Sequence, residues 1–299
     1  MSSIAYVTDE EMLEYHRLCR NRTILFWRLA SKRKIADFHK GDLLFFYSRP
    51  IRGRKKGLVG YAHYDSTKCL SLNQMWKQYG ESTGYSSKQR LEDAIAKAAK
   101  GEIPKQMRCL YLTDVVFFLT PVYPQEFGID FPIHLESYIY LDRSDSKVTV
   151  KILECARKHG IDLWSLDPNR TPDDIFRADV MRHKLAMIGE LCGKSSFSQR
   201  EKDRCRKLIT EKLTDTKWER IIGSETDIMM MDRYKVKVAF ALCYQTNDRD
   251  AKIRELYGKI LLYKYWTKKL NFEKKVIFTI ISDKEDLEVK ELVEQINHA

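Results

Sequence analysis

The hydrophobic pattern of the first half is one of short, dense apolar runs broken by glycine or charge, the mark of strands. Ile24, Leu25, Phe26 and Trp27 fill a strand predicted over 23–30, where β-branched and aromatic residues crowd together. Leu43 to Tyr47 predicts a second, apolar on both faces as a barrel-core strand is, opened by the Lys40-Gly41-Asp42 turn. A third is predicted over 58–64, two more over 107–112 and 115–121, and another over 137–141. Helical spacing appears between them. It predicts a short helix over 9–20, a turn or helix over 71–79, and a clearer helix over 87–100 with Leu91, Ile95 and Ala98 on one face. A last helix over 148–159 is stopped by Gly160.

The chain changes character at Asp167-Pro168-Asn169-Arg170-Thr171-Pro172, where Thr171 and Pro172 also supply a helix start. A domain boundary is expected here, with residues 1–165 before it and 172–299 after it. The second half reads α, α, β, β, β, α, β, α. Helices are predicted over 172–192 and 198–213, the latter begun by the capping box of Ser198 and Glu201. Strands follow over 217–222, 227–231 and 235–244, then a long helix over 250–266, a buried strand over 275–281 and a closing helix over 285–296. The fold class is therefore α+β in the first domain and α/β in the second.

Composition narrows the partner. The 299 residues are 43% hydrophobic, enough for real cores, and carry 53 basic against 42 acidic side chains, a formal +11. That surplus fits a polyanion, nucleic acid before an anionic membrane. Seven scattered cysteines form no Cys-x-x-Cys pair, which argues against a disulfide framework and a zinc knuckle. No signal-peptide or spanning apolar run is seen, so a reduced cytosol is the expected compartment and no membrane partner is expected.

The first domain holds more aromatics than a small barrel core needs: Trp27, Tyr47, Tyr61, Tyr64, Trp76, Tyr79 and Tyr85. Tyr and Trp carry a polar tip and favour places where a ring meets water or a ligand. Such rings stack on bases at about 1–3 kcal/mol each, enough to repay extrusion of a base from its duplex. The loop 49–56, with Arg49, Arg52, Arg54, Lys55 and Lys56, is suited to gripping phosphates. The alternative is that these rings are ordinary core.

The ordered set Phe26-Trp27-Arg28, Lys40-Gly41-Asp42-Leu43-Leu44-Phe45-Phe46, Gly57-Leu58-Val59-Gly60, Met75-Trp76 with Tyr79-Gly80, and Thr83-Gly84 resembles the EVE-like domains of the PUA superfamily. It is most similar to those fused to HNH nucleases in modification-dependent restriction proteins, over roughly residues 20–135. The resemblance implies a PUA/EVE-like β-barrel that holds a modified base, typically a modified cytosine in DNA, in an aromatic cage. Trp27, Tyr47, Ser48, Trp76, Tyr79 and Tyr85 are the candidates for that cage. Phe46-Tyr47-Ser48 departs from the Phe-Lys common in the HNH-fused relatives, and likeness to YTH domains keeps RNA open as a partner.

No HNH motif follows. The second half resembles the PD-(D/E)XK nuclease core, its best local match running from Ile253 to Trp266. The resemblance implies Asp227 as a metal-binding and catalytic carboxylate, with Lys259 and Glu225 as further catalytic candidates. Glu211, Glu225 or Glu255 would complete a Mg²⁺ or Mn²⁺ site with Asp227, since such ions take hard oxygen ligands. Ala241 and Cys243 stand where the family places its Glu and Lys. Two functions are expected on this basis. One is a restriction or phage-defence protein that reads a modified base and cuts DNA nearby, which double-strand cutting would favour as a homodimer. The other is a non-catalytic reader of modified DNA or RNA whose second domain binds nucleic acid or dimerises.

Overall fold

The computed structural model describes residues 2–29, 35–36, 38–48, 55–132, 134–143, 145–162, 164, 172–192, 196–232, 234–245 and 248–298. The chain forms two compact units, Met1–Arg177 and Ala178–Ala299. The boundary falls inside a helix, a few residues beyond the expected linker; positions 165–171 lie outside the described residues.

The first unit is built on one six-stranded sheet. Its strands are β1 (Ser3–Val7), β2 (Ile24–Arg28), β3 (Leu43–Ser48), β4 (Gly57–Leu70), β5 (Met107–Val122) and β6 (Tyr138–Tyr140), ordered β2-β5-β4-β3-β1-β6. Helix α1 (Glu10–Leu18) is capped by Asp9, whose carboxylate accepts from Met12 N, and α2 (Leu72–Tyr79) by a Ser71–Gln74 capping box. Helices α3 (Lys88–Ala98) and α4 (Val148–His159) complete the unit.

Two departures from the sequence pattern shape this sheet. The strand β1, absent from the pattern reading, pairs parallel with β3 and antiparallel with β6. Two carboxylates, one buried and one half-buried, hold its start: Asp42 Oδ1 accepts from Ser2 N at 2.8 Å, and Asp142 Oδ2 from Ser3 N at 2.9 Å. The two strands expected over 107–121 are one, because Asp114 takes a left-handed φ of 49° within a run of register shifts against β4. Gly60 lies in this irregular ladder, where a Cβ would stand 2.4 Å from Val116 O.

The sheet curls. Tyr6 of β1 and Phe26 of β2 sit four strands apart in order, yet their rings meet edge to face at 4.9 Å. Even so, the barrel expected from the resemblance is not closed. No ladder joins β2 to β6 among the described residues, and a seam is left between these edges. Side chains rather than backbone bridge it.

The second unit contains a four-stranded sheet ordered β10-β9-β8-β7, from β7 (Trp218–Arg220), β8 (Asp227–Met231), β9 (Lys235–Leu242) and β10 (Lys275–Ser282). The first three are antiparallel neighbours, while β9 and β10 run parallel and are joined by the crossover helix α7 (Arg249–Lys269). Along β9, Val236, Val238, Phe240 and Leu242 face a core shared with α5 (Pro172–Leu191), α7 and α8 (Leu287–His298). Ala239, Ala241 and Cys243 face α6 (Gln199–Lys212) through Cys205 and Ile209. Both faces of the strand are thus buried, as the near-continuous apolar run requires. The Ser198–Glu201 capping box expected at α6 is present. No described helix is long and apolar enough to cross a membrane.

Candidate functional site

The six residues expected to cage a base differ in burial. Tyr47 is buried with its ring edge-on to Phe131 at 4.7 Å, and Ser48 beside it is buried too. Tyr85 lies in the main core cluster, with its hydroxyl beside the Trp27 indole; burial raises the pKa of that hydroxyl. Its neighbour Gly84, at φ 93°, has no room for a side chain: a Cβ would stand 2.2 Å from Met12 Cγ. Tyr47, Ser48 and Tyr85 are thus all buried. Trp27, Trp76 and Tyr79 are half-buried against the same core and keep part of each ring towards solvent.

Tyr79 of α2 has partners that the sequence did not single out. Its ring lies 5.8 Å from that of Tyr111 on β5, and Lys68 of β4 places its ammonium 5.0 and 5.2 Å from the two centroids. The same ammonium donates to the Tyr79 hydroxyl, which raises the lysine's pKa. The result is a small half-exposed surface of two tyrosines under one cation. In the phosphate loop, Arg49, Arg52 and Arg54 lie outside the described residues; Lys55 and Lys56 are exposed just before β4.

In the second unit the resemblance brought two residues together that lie far apart in sequence. Asp227 opens β8 with its carboxylate fully buried, and Lys259 Nζ reaches its Oδ1 at 2.6 Å. Tyr263, one turn further along α7, donates to Oδ2 at 2.8 Å. Thr226 Oγ1 lies 3.2 Å from Oδ1. Burial first, then the Asp227 charge, pushes the Tyr263 hydroxyl well above its usual range, so it stays a donor. Lys252, Glu255, Lys259 and Tyr263 recur every three or four residues and form one polar stripe on α7.

The cleft beside this pair is lined by Phe197, Thr226, Asp227, Phe240, Ala241, Lys252, Glu255, Leu256 and Lys259. Glu255 accepts from Ser196 N at 2.7 Å and from Ser196 Oγ. Lys252 donates to Ser196 O at 3.1 Å and stands 3.5 Å from Glu201. Glu225 and Glu211 are not drawn in: Glu225 pairs with Lys202 at 2.8 Å, and Glu211 is exposed near the end of α6. Ala241 lines the cleft as a bare methyl, and Cys243 turns into the apolar cluster beneath α6.

This donor set does not fit a Mg²⁺ or Mn²⁺ ion. Such an ion needs free carboxylate oxygens, and here the Lys259 ammonium already occupies the cation position against Asp227. Both Glu255 oxygens are engaged by Ser196, and no group of three His, Cys, Asp or Glu side chains suited to a metal occurs among the described residues.

No family model matches the sequence, and no curated protein matches it. Among solved structures, the chain is similar to the ASCH protein of Zymomonas mobilis at 14% identity and a TM-score of 0.35, over 50% of this chain and 94% of that one. It is also similar to a hypothetical protein from Leishmania major at 11% identity and a TM-score of 0.32, over 53% and 96%. With scores this low, the description of the fold rests on its own strands and ladders.

Proposed function

We propose that this chain is a nucleic-acid-binding protein whose first unit, an EVE-like member of the PUA superfamily, reads a base, and whose nuclease-like second unit binds without cutting. The observation that carries the reading is the Lys68–Tyr79–Tyr111 surface. Two partly exposed rings beside an ammonium supply stacking and phosphate attraction together, the combination that single-stranded nucleic acids require. The formal charge of +11 adds the long-range term. A modified cytosine in DNA is the ligand we favour, held against the half-buried rings, with RNA as the competing polymer.

The test is fluorescence anisotropy with single-stranded DNA and RNA oligonucleotides, plain and carrying cytosine or adenine modifications, at several salt concentrations. Affinity is expected to fall steeply with salt, and Tyr79→Ala to weaken binding about tenfold, the loss of one stacked base. Binding unchanged by Tyr79→Ala and Lys68→Ala together would refute this surface.

A second reading keeps the nuclease. In its favour, Asp227, Glu255 and Lys259 do line one cleft. It demands cleavage of modified but not plain DNA in Mg²⁺ or Mn²⁺, lost in Asp227→Ala. Intact substrate across the modification panel sinks it.

A further inference from the structure

The seam that leaves the first sheet unclosed contains a buried charge with no counter-ion among the described residues. Arg28 ends β2 and is 5% exposed, and its Nε and Nη1 are buried without a hydrogen-bond partner. No carboxylate pairs with it among the described residues. Its neighbours make matters worse, because Arg108 of β5 is its direct cross-strand partner, and like charges in such a pair repel.

Across the seam stand the rings of β1 and β6. Tyr6 reaches the guanidinium with its hydroxyl, and burial raises the pKa of that hydroxyl while the hydrogen bond to Arg28 partly offsets the rise. Tyr138 stacks on Tyr6 at 6.0 Å and 22°. The adjoining Tyr140 is capped by the Arg143 guanidinium 3.7 Å above its ring.

A neutral hydroxyl does not compensate a buried guanidinium. Leaving an ionised group desolvated and unpaired costs several kcal/mol, and a native site that keeps such a group has a partner for it. The missing partner must be an acceptor-rich anion, because guanidinium offers donors alone. Flat rings on the opposite wall suit a ligand that carries a planar group next to that anion. Both demands are met by a nucleotide.

We propose that Arg28, with Arg108 beside it and Tyr6 and Tyr138 opposite, is the seat of a nucleotide phosphate in the β2–β6 seam. The proposal rests on the nucleic-acid reading for the source of that phosphate, a backbone group in a strand or a free nucleotide. A ligand seated there parts the Tyr6–Phe26 contact that now bridges the seam.

The experiment measures thermal melts of the full chain with inorganic phosphate against chloride at matched ionic strength, and oligonucleotide affinity as a function of salt. Wild type, Arg28→Met and Arg108→Met are compared. The melting temperature of the wild type should rise with phosphate concentration and that of Arg28→Met should not. Arg28→Met should bind oligonucleotide at least tenfold more weakly, with the slope of log affinity against log salt reduced by about one. Arg108→Met should lose less.

Oligonucleotide binding with wild-type slope and affinity in Arg28→Met overturns the seat and leaves the reader standing. Phosphate stabilisation that depends on Arg28, with no oligonucleotide bound by the wild type, keeps the seat for free nucleotides and removes the reader. If Arg28→Met does not fold, a wild-type melt indifferent to phosphate and an Arg108→Met slope equal to wild type together overturn the proposal.

Discussion

Each unit sets a strong cation against its core, half-buried Lys259 in one and buried Arg28 in the other, and they treat it in opposite ways. In the second, Lys259 meets Asp227 at 2.6 Å, and Tyr263 and Thr226 complete the carboxylate's hydrogen bonds. In the first, Arg28 keeps two donor nitrogens unpartnered. A paired charge is finished chemistry: it holds α7 to the start of β8 and has no valence left for a metal. An unpaired one is unfinished and asks for a ligand. The cleft that most resembles an enzyme site therefore holds the paired cation, and the seam that resembles ordinary packing holds the one whose donors are unmet. A third buried base shows another outcome. His16 has no exposure and burial lowers its pKa to about 3, so it stays neutral and escapes the problem.

The largest effect should come from breaking the finished pair. Lys259→Met alone is expected to cost about 3–5 kcal/mol in urea unfolding, by stranding the buried Asp227 carboxylate, and Asp227→Asn less, because the Lys259 side chain is 19% exposed. The double variant Asp227→Leu with Lys259→Met should recover most of that loss. Additive losses in the double variant would mean that the pair does not act as a unit.

Next in size is His16. Its folded pKa lies below the unfolded value of 6.5, so between pH 6.5 and 3 the unfolded chain binds more protons. Stability is then complete above pH 6.5 and falls with acid, by roughly 3 kcal/mol at pH 4. His16→Gln should flatten this slope in unfolding titrations; an unchanged slope assigns the acid sensitivity elsewhere.

Asp142 works in the other direction and should be the smallest effect. Burial raises its pKa from 3.8 to about 6, so here the folded chain holds the extra proton. Stability from this group is full below pH 3.8 and is lost as pH rises through 6, by roughly 2 kcal/mol once solvent screening of its half-buried carboxylate is allowed for. Between pH 4 and 6 the two slopes oppose each other. Asp142→Asn should therefore steepen the rise of stability with pH that His16→Gln removes. If both variants shift the profile the same way, the buried-charge comparison fails.

Legibility in the sequence followed how local each feature is. The capping box of α6, the long helix α7 and the apolar β9 depend on near neighbours or strict period, and they could be read directly. The Asp227–Lys259 contact could be anticipated only through a family pattern, since 32 residues separate the pair. Arg28 could not be anticipated at all. A strand-end arginine normally reaches water, and this one is buried because β1 curls opposite β2, a fact of tertiary geometry. Asp114 misled the reading for a related reason: an acidic residue between two apolar runs signals a turn, yet here it is absorbed into a bulge. The aromatic surplus was visible, but pattern alone could not separate Tyr47 and Tyr85, which pack, from Tyr79, which shares a lysine with Tyr111.

The placement of β1 also sets a timetable for synthesis. Its ladder to β6 pairs Tyr6 with Tyr138 and Ile4 with Tyr140, and the bond from Ser3 to Asp142 joins positions 139 residues apart. During translation the first strand must wait, unpaired on one edge, until almost the whole unit has left the ribosome. Non-local closure of this kind slows folding and lengthens the exposure of an apolar strand. Cells making the protein would thus meet their highest risk of aggregation just before residue 140 emerges, which is where a chaperone has most to do.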